Sequence, residues 1–540
     1  MNPAVGIDLG TTNSVVGIQT DATGPRTLAI SQPVYERNIP EIRDHIKSAV
    51  YFESADTAVV GAFASRRLDA FRSVKSKMGT RWTMPHPFRR DVRLTPWYIS
   101  AHVLRLAFQQ LKNQFPSWDC SALITVPASF NTDQRRDTLK ASNLAGFRDV
   151  RLLDEPTAAF YYFFDQNRDS FIGIDTQTVL VFDFGGGTLD VSVIRIRGLG
   201  DKLSIDAIGR SRYNNLGGDD IDMELAAFLL ALWEQQEHCL VEDLAAQERK
   251  QLFQLFLQRA ASFKEEAEFY LASGQPLNEF LVAEELSRAG SRRSIHLQRL
   301  LSRSQYEEIS GRFFQDRGDL NVFRPIGQAL EVAASIVPGF RKENIDFVLY
   351  TGGASRMMGV RAALETYFAP TPCYSITDEE AENTVALGAA SCRYDEQHGH
   401  RGVDMTSRLL ESILTRDEIA GTYVPVVPLT CEPSTEFRPV GEEFRVRRPA
   451  VTLRLPLFRG VSPMDHNLMP MQDLVLQLPG LVAAGVPYRL SYCMTENKTV
   501  QIRALFSPET SSSFVVDGEV DIDSSDGGRS NKSISLARIN

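Results

Sequence analysis

The sequence predicts an α/β fold of two related lobes followed by a small C-terminal β-sandwich. Three observations predict it. Residues 4–18 (AVGIDLGTTNSVVGI) and 179–196 (VLVFDFGGGTLDVSVIRI) share one grammar: apolar strand, Asp, Gly/Thr turn, second strand. Between and after these two hairpins, strand-like and helix-like segments alternate. Beyond residue 423, helical periodicity gives way to alternation with period two.

Taken in order, residues 95–114 carry apolar side chains at helical spacing (Ile99, Val103, Leu104, Leu106, Ala107, Leu111). Residues 122–126 read as a buried strand that stops at Pro127, and a helix restarts over 131–145 with Asn131 or Thr132 as N-cap. A strand at 150–153 precedes Pro156, which suits the first turn of a helix running to Phe164. Residues 219–269 read as helix with a break near Val241. A strand at 347–350 meets Gly352-Gly353, a helix covers 360–368, and TVALGAASC (384–392) reads as a small-residue helix that packs closely. The first unit is therefore 1–392. A linker is expected over 393–423, with a polar stretch at 394–402. Within it Met405, Leu409, Leu410, Ile413 and Leu414 fall at helix-like spacing and read as a short core helix. Alternating runs at 451–457, 474–478, 488–494 and 500–505, with a turn at Asn497-Lys498, place a β-sandwich over 424–508. The Ser/Gly/Asp-rich stretch 509–540 reads as a disordered polar tail.

Composition narrows the function. At 43% hydrophobic and 23% charged, the 540-residue chain is globular rather than disordered. With 58 Lys+Arg against 68 Asp+Glu it is mildly acidic, which argues against nonspecific binding to nucleic acid or anionic membranes. The six cysteines are far apart and form no C-x-x-C pair, which fits a reducing compartment, with the cytoplasm as default. The N-terminus lacks the basic-then-apolar pattern of a signal peptide, and no run of about 18 apolar residues predicts a membrane span. His398 and His400 form a His-x-His pair without a third ligand nearby and read as solvated linker.

Four motifs carry chemistry. In the first loop, Gly10 permits a tight turn, and the backbone and hydroxyls of Thr11, Thr12 and Asn13 can surround phosphate oxygens. Asp8, at the strand end, can hold Mg²⁺ through water. In the second loop, Gly185, Gly186 and Gly187 leave bare backbone beside Asp183, Thr188 and Asp190. Either loop alone has a plain hairpin turn as its alternative; the pair argues for one phosphate site. Third, Glu155 in DEPTAA can order a water, or simply cap a helix. Fourth, TGGASR gives close backbone approach at Gly352 and Gly353 and sets Arg356 to stack on a purine, or is an ordinary strand-to-helix turn.

GIDLGTTNS, ITVPASF, DEPTAA, FDFGGGTLD, NLGGDDID and TGGASRM follow in the order found in the DnaK-type, 70-kDa heat-shock chaperone family. The chain resembles that family over residues 1 to about 392, and more weakly to about 506, where VTLRLPLFRG and PYRLSYCMTENKTVQIRAL look like its peptide-binding β-domain. The resemblance implies a two-lobed actin-like ATPase domain built from duplicated ribonuclease-H-like lobes. It implies ATP or ADP with Mg²⁺, and K⁺ as a further candidate ion. Asp8, Thr11, Thr12 and Thr188 match phosphate- and metal-contacting positions. Lys75, or Lys77 in a shifted frame, matches the catalytic lysine. Glu155 and Asp183 match carboxylates near metal and water, with Asp183 also a metal position through water. Gly217, Gly218, Gly352, Gly353 and Arg356 match the nucleoside side. Pro127 and Arg135 match a proline switch and its partner, and Arg151 an outward arginine for J-domain partners and the linker.

Three departures stand out. The adenosine-contacting helix of the family carries Glu followed by Lys-Arg; here the best frame gives Glu265, Glu268 and Phe269, with Lys264 the substitute from a shifted frame. The family's leucine-rich linker is not visible. The β-domain is short at its start and no helical lid is seen after it, so bound segments should exchange quickly. The resemblance thus implies an ATP-dependent chaperone acting on extended or unfolded apolar peptide segments, with a J-domain co-chaperone and a nucleotide exchange factor as further partners. The alternative is a nucleotide-gated regulatory protein with little hydrolysis. A small-molecule kinase and a filament-forming protein share the fold and rank below both.

Overall fold

The computed structural model describes residues 2–32, 40–67, 69–171, 175–199, 202–212, 216–277, 279–288, 291–318, 320–376, 382–398, 403–406, 408–417, 420–465, 468–471, 473–507, 514–519 and 538–539. The strand Ala4–Asp8 is apolar and buried on both faces. It pairs antiparallel with Asn13–Gln19 across the Gly10 turn, and parallel with Ala122–Val126, which in turn pairs with Val150–Asp154. The second hairpin repeats the plan. Thr176–Phe184 pairs antiparallel with Leu189–Leu199 and parallel with Phe347–Thr351. Each lobe is therefore one sheet centred on a hairpin, with a parallel neighbour supplied by a crossover through helices.

Local chemistry sets the helix starts. Asn131 accepts from the backbone N–H of Gln134 and Gln134 reaches back, so the capping box selects Asn131 over Thr132. Pro156 sits in the first turn of the helix Glu155–Gln166. The long helical region divides into Gly218–Glu237 and Ala246–Ala272, with a 3₁₀ turn at Val241–Asp243 between them. The small residues of Thr384–His398 let that helix lie directly on the first sheet. A Cβ added to Gly6 would come 2.5 Å from the Ala386 carbonyl oxygen, and one on Gly388 would come 1.9 Å from that of Ala158.

Two expectations are corrected. Met405, Leu409, Leu410, Ile413 and Leu414 do not form a helix. Val403–Thr406 adds a parallel strand to the open edge Lys202–Arg210, and Ser412–Arg416 pairs with both Tyr423–Val427 and Leu457–Gly460. Unpaired backbone groups on sheet edges offered these segments partners that a short helix would not have. The second correction concerns the tail. Phe514–Glu519 pairs with Val500–Phe506, and Arg538–Ile539 pairs with Thr57–Val60; the remainder of 509–540 lies outside the described residues. His398 ends a helix with its ring stacked on Tyr394, so 394–398 is helical; His400 lies outside the described residues.

The C-terminal β-region packs three sheets around Leu476, Leu490, Ile502 and Phe506, with Arg438–Arg445, Pro487–Met494 and Val500–Phe506 in one of them. It seats against the first lobe. Asn497 Oδ1 accepts from the Leu152 N–H at 2.8 Å, and Lys498 Nζ reaches Asp154 Oδ2 at 2.7 Å. All six cysteines are free thiols. Among the described residues no helix is long and apolar enough to cross a membrane.

Candidate functional site

The two Gly-rich turns face each other across the lobes. A Cβ on Gly10 would fall 1.8 Å from the Asn13 carbonyl oxygen, so the turn closes only with bare backbone, and Ser48 Oγ donates to the Gly10 carbonyl at 2.8 Å. Gly185 N–H donates to the Thr188 carbonyl at 3.0 Å. The N-terminus of the Gly218–Glu237 helix then holds the loop, through Gly218 N–H to the Gly185 carbonyl and Asp219 N–H to the Gly186 carbonyl. A Cβ on Gly186 would lie 2.3 Å from Thr12 Oγ1, and one on Gly187 would lie 2.7 Å from Thr11 Cγ2. Gly217 backs onto Gly186 in the same way, its added Cβ lying 2.2 Å from the Gly186 carbonyl oxygen. The structure thus brings Gly10, Thr11, Thr12, Asn13, Gly186, Gly187, Gly217 and Gly218 together.

Behind the loops lies a buried charge cluster. Lys75, in the 3₁₀ turn Val74–Lys77, is buried and ion-pairs with Glu155, whereas Lys77 is exposed. Geometry therefore brings Lys75, and not Lys77, to the carboxylates. Asp8 accepts from Thr125 Oγ1 at 3.2 Å and Asp190 from Ser129 Oγ at 2.7 Å. Burial pushes the carboxyl of Asp183 up to about 8, reinforced by the charges of Asp190 and Asp8. Burial likewise raises Asp8, Asp190 and Glu155, with Lys75 opposing in each case. Burial alone would lower Lys75, but Glu155 and Asp8 outweigh it and hold the ammonium charged. One ammonium faces four carboxylates, an excess of acidic groups that keeps their carboxyls above the usual range for want of further positive charge.

That excess fits a divalent cation. Among the described residues no three His, Cys, Asp or Glu side chains converge closely enough to grip a metal directly, so Mg²⁺ would be held through water and phosphate. The buried Asn13 Oδ1 also lacks a hydrogen-bond partner among the described residues, a polar atom facing the first loop. A cavity of about 10 Å³ lined by Gly10, Thr11, Val74 and Lys75 has room for roughly one water.

The side expected to meet the nucleoside is built differently. Glu268 accepts from Tyr306 Oη at 2.8 Å and from the Met358 N–H at 3.0 Å, so both its oxygens are engaged within the protein. Phe269 is 68% exposed and points to solvent. Lys264 donates to the Gly218 carbonyl at 2.9 Å and pairs with Asp222 at 2.8 Å, while Glu265 acts on Asp222 only as a nearby charge. Arg356 lies 3.7 Å from Glu382, and Gly352 turns at φ 83° tightly against Asp183. A cavity of about 300 Å³ beside Glu268, Leu271, Tyr306, Glu307 and Met358 is lined by no basic residue. That volume is at the lower bound for a small-molecule pocket.

Comparison with known proteins gives the family. The family model described as "Hsp70 protein" matches residues 4–393. The chain belongs to the Hsp70 family. A chaperone protein DnaK of Cyanophora paradoxa is 31% identical over 416 residues, covering 72% of this chain and 60% of the relative. That of Thermosipho africanus (strain TCF52B) is 30% identical over 434 residues, covering 78% of this chain and 64% of the relative. The matches therefore span less than two thirds of these relatives' length. The two duplicated lobes are the actin-like fold of this family.

In this Hsp70 member the residues expected to link the units are brought together, with partners the sequence did not announce. Pro127 opens the turn whose carbonyl accepts from the Phe130 N–H at 3.0 Å. Arg135 is buried and reaches Asp154 Oδ1 at 2.6 Å and the Phe130 carbonyl at 3.1 Å. Against the pull of burial, Arg135 and Lys498 hold the Asp154 carboxyl well below the usual range. Arg151 pairs with Glu396 at 2.9 Å and Glu496 at 3.6 Å. Arg459, from the β-region, donates to the Ser129 carbonyl at 3.4 Å and lies 3.9 Å from Glu411, which also pairs with Arg210. Lys498, Arg459 and Glu411 have no motif of their own, and Asp154 stands in DEPTAA without a role assigned there. The one local signal was Lys498 at a hairpin turn, where it adopts φ 57°.

Proposed function

We propose that the chain is a Mg²⁺-dependent ATPase of DnaK type that couples nucleotide state to binding and release of extended apolar peptide segments. The observation that carries this reading is the contact of two Gly-rich turns from separate lobes above a buried Lys75–Glu155 pair. Phosphoryl transfer is mostly positioning and charge neutralisation, and these residues provide both. Bare backbone at Gly10 and Gly185–Gly187 admits phosphate oxygens, with Thr11, Thr12 and Thr188 beside them. Lys75 places a fixed ammonium where charge develops. Glu155 and Asp183, both shifted upward, can hold a proton and orient water. Mg²⁺, when bound, would neutralise phosphate charge beside Asp8 and Asp183; K⁺ is a further candidate. Pro127, Arg135 and Arg151 supply the connection to the β-region, and a J-domain partner and exchange factor, with a cytoplasmic setting, belong to the same proposal. The division into 1–392, 393–423 and 424–508 belongs to the same proposal, with Ser412–Arg416 and Phe514–Glu519 joined to the third unit by their strand pairing.

A second reading is favoured by Glu268, whose oxygens are both spent internally in a pocket without basic residues. It is a nucleotide-gated regulatory protein with little hydrolysis. Calorimetric titration of ATP and ADP with and without Mg²⁺, followed by single-turnover hydrolysis and peptide-array binding, separates the two. Mg²⁺-dependent ATP binding, hydrolysis, and ATP-driven peptide release support the chaperone; tight binding without turnover supports the regulator; no nucleotide binding removes both.

A further inference from the structure

Ser129 lies in the tight turn that follows the strand Ala122–Val126, where the Phe130 N–H donates to the Pro127 carbonyl at 3.0 Å. Asn131 takes the N-cap of the next helix, so the Ser129 side chain is not spent on capping. It reaches the second lobe instead. Ser129 Oγ donates to Asp190 Oδ1 at 2.7 Å, and the Ser129 N–H donates to the same oxygen at 3.4 Å. Both residues are buried. Asp190 stands opposite Asp183 in the second hairpin, and Ser129 is the foremost group opposing the upward push of burial on its carboxyl, ahead of Lys75. The neighbouring Phe130 brings its ring to 5.8 Å from Lys75 Nζ. One turn thus touches two charges of the cluster.

The same turn is also held from the β-region. Two successive carbonyls each meet a guanidinium: Ala128 accepts from Arg210 at 2.5 Å, and Ser129 accepts from Arg459 at 3.4 Å. Glu411 joins the two guanidiniums, lying 3.0 Å from Arg210 and 3.9 Å from Arg459. Arg210 ends the strand Lys202–Arg210 of the second lobe. Glu411 immediately precedes Ser412–Arg416, and Arg459 lies in the partner strand Leu457–Gly460. All three side chains are buried. Buried charge-assisted bonds of this kind leave the turn little freedom to slide. Ser129 is therefore bonded to a cleft carboxylate through its hydroxyl and N–H, and to the β-region through its carbonyl.

We propose that Ser129 is a positioning residue: it fixes the Asp190 carboxylate in the cleft, and Arg459 of the β-region fixes Ser129. This rests on the nucleotide reading above and deepens it by one residue that acts through Asp190. An alanine at 129 keeps the longer N–H bond to Asp190 but loses the shorter bond from the hydroxyl. The carboxylate is then free to turn toward Lys75, whose ammonium attracts it. A charge displaced at a reacting centre costs rate rather than ground-state binding.

The test is single-turnover hydrolysis of Mg²⁺-ATP, paired with calorimetric Mg²⁺-ATP affinity. It uses the full chain and its Ser129→Ala, Ser129→Thr and Arg459→Met variants, with the Ser129→Ala/Arg459→Met double variant. Ser129→Ala should lower the hydrolysis rate about tenfold, with affinity changed by less than about threefold. Ser129→Thr keeps the hydroxyl and should stay within about threefold of the wild-type rate. Arg459→Met leaves the Arg210–Glu411 pair in place. It should lower the rate about threefold in the wild-type chain and cause no further loss in Ser129→Ala, because both changes act through one turn. A wild-type rate in Ser129→Ala, a fall in its affinity matching the fall in rate, or a Ser129→Thr as slow as Ser129→Ala would overturn this inference while the nucleotide reading stands. Additive losses in the double variant would overturn the link from Arg459. Absence of hydrolysis by the wild-type chain would overturn the inference together with the ATPase reading.

Discussion

The two ends of the cleft obey different rules. At the end proposed for the phosphates, bare backbone from two lobes meets over a lysine and four carboxylates, of which Lys75, Glu155, Asp183 and Asp190 are buried. At the nucleoside end, Glu268 is spent on Tyr306 and Met358, Phe269 faces solvent and Lys264 is tied to Asp222. The first end gathers carboxylates that burial holds above their usual range for want of positive charge; the second has satisfied its charges internally. Under the proposed reading the contrast makes phosphate capture and base recognition separable within this fold, because they draw on different elements: hairpin turns for one, helix ends for the other.

The hardest blow to the phosphate end is Lys75→Ala. Single-turnover hydrolysis should fall by about a thousandfold with nucleotide still bound, since a pre-oriented charge at the reacting centre is worth roughly 10²–10³ in rate. Wild-type rates would remove Lys75 from the mechanism. Next is Gly186→Ala, whose Cβ would lie 2.3 Å from Thr12 Oγ1 and must push the turns apart. Nucleotide affinity measured by calorimetry should drop by about tenfold or more, roughly 1.4 kcal/mol per decade, while the same change at the exposed position Phe269 should leave it unaltered.

The connection to the β-region comes third. Lys498→Met removes a buried, charge-assisted bond but leaves Arg135 on Asp154, so denaturant unfolding should show a loss of about 2 kcal/mol. An unchanged midpoint, with unchanged protease sensitivity near residues 398–408, would detach Lys498 from the seat of the β-region.

The smaller effects sharpen the contrast by pH. Asp183 has its folded pKa raised to about 8, so its contribution to stability is fully present below its unfolded value and is lost as pH rises toward and through 8. A divalent cation relieves that loss. The Mg²⁺-induced rise in melting temperature should therefore be larger at pH 8.5 than at pH 6.5, a window set by Asp183; a pH-independent rise would show that the cluster does not face the metal. At the nucleoside end Glu268→Gln should cost only about 1 kcal/mol of stability and little ATP affinity. A large affinity loss would return Glu268 to the ligand and erase the distinction between the two ends.

Much of the site was legible because its chemistry is local. Gly10 in its turn, three consecutive glycines after Asp183, and Pro156 after Glu155 each declare a backbone requirement within a few residues. Asn131 over Thr132 and Lys75 over Lys77 were left open by spacing. The capping box decided the first and burial the second. The segment 403–416 misled, since apolar spacing suited a helix while two open sheet edges, remote in sequence, drew it into strands.

The hairpin grammar, the α/β alternation and the order of the motifs follow from the sequence by itself, because turn residues and apolar periodicity act between near neighbours. Which charges meet is another matter. Asp219 with Ser73, Lys498 with Asp154 and Glu268 with Met358 join residues 90 to 344 positions apart. Such pairings arise only once lobes and β-region are packed, for burial makes each charge seek whatever partner the fold has carried within reach.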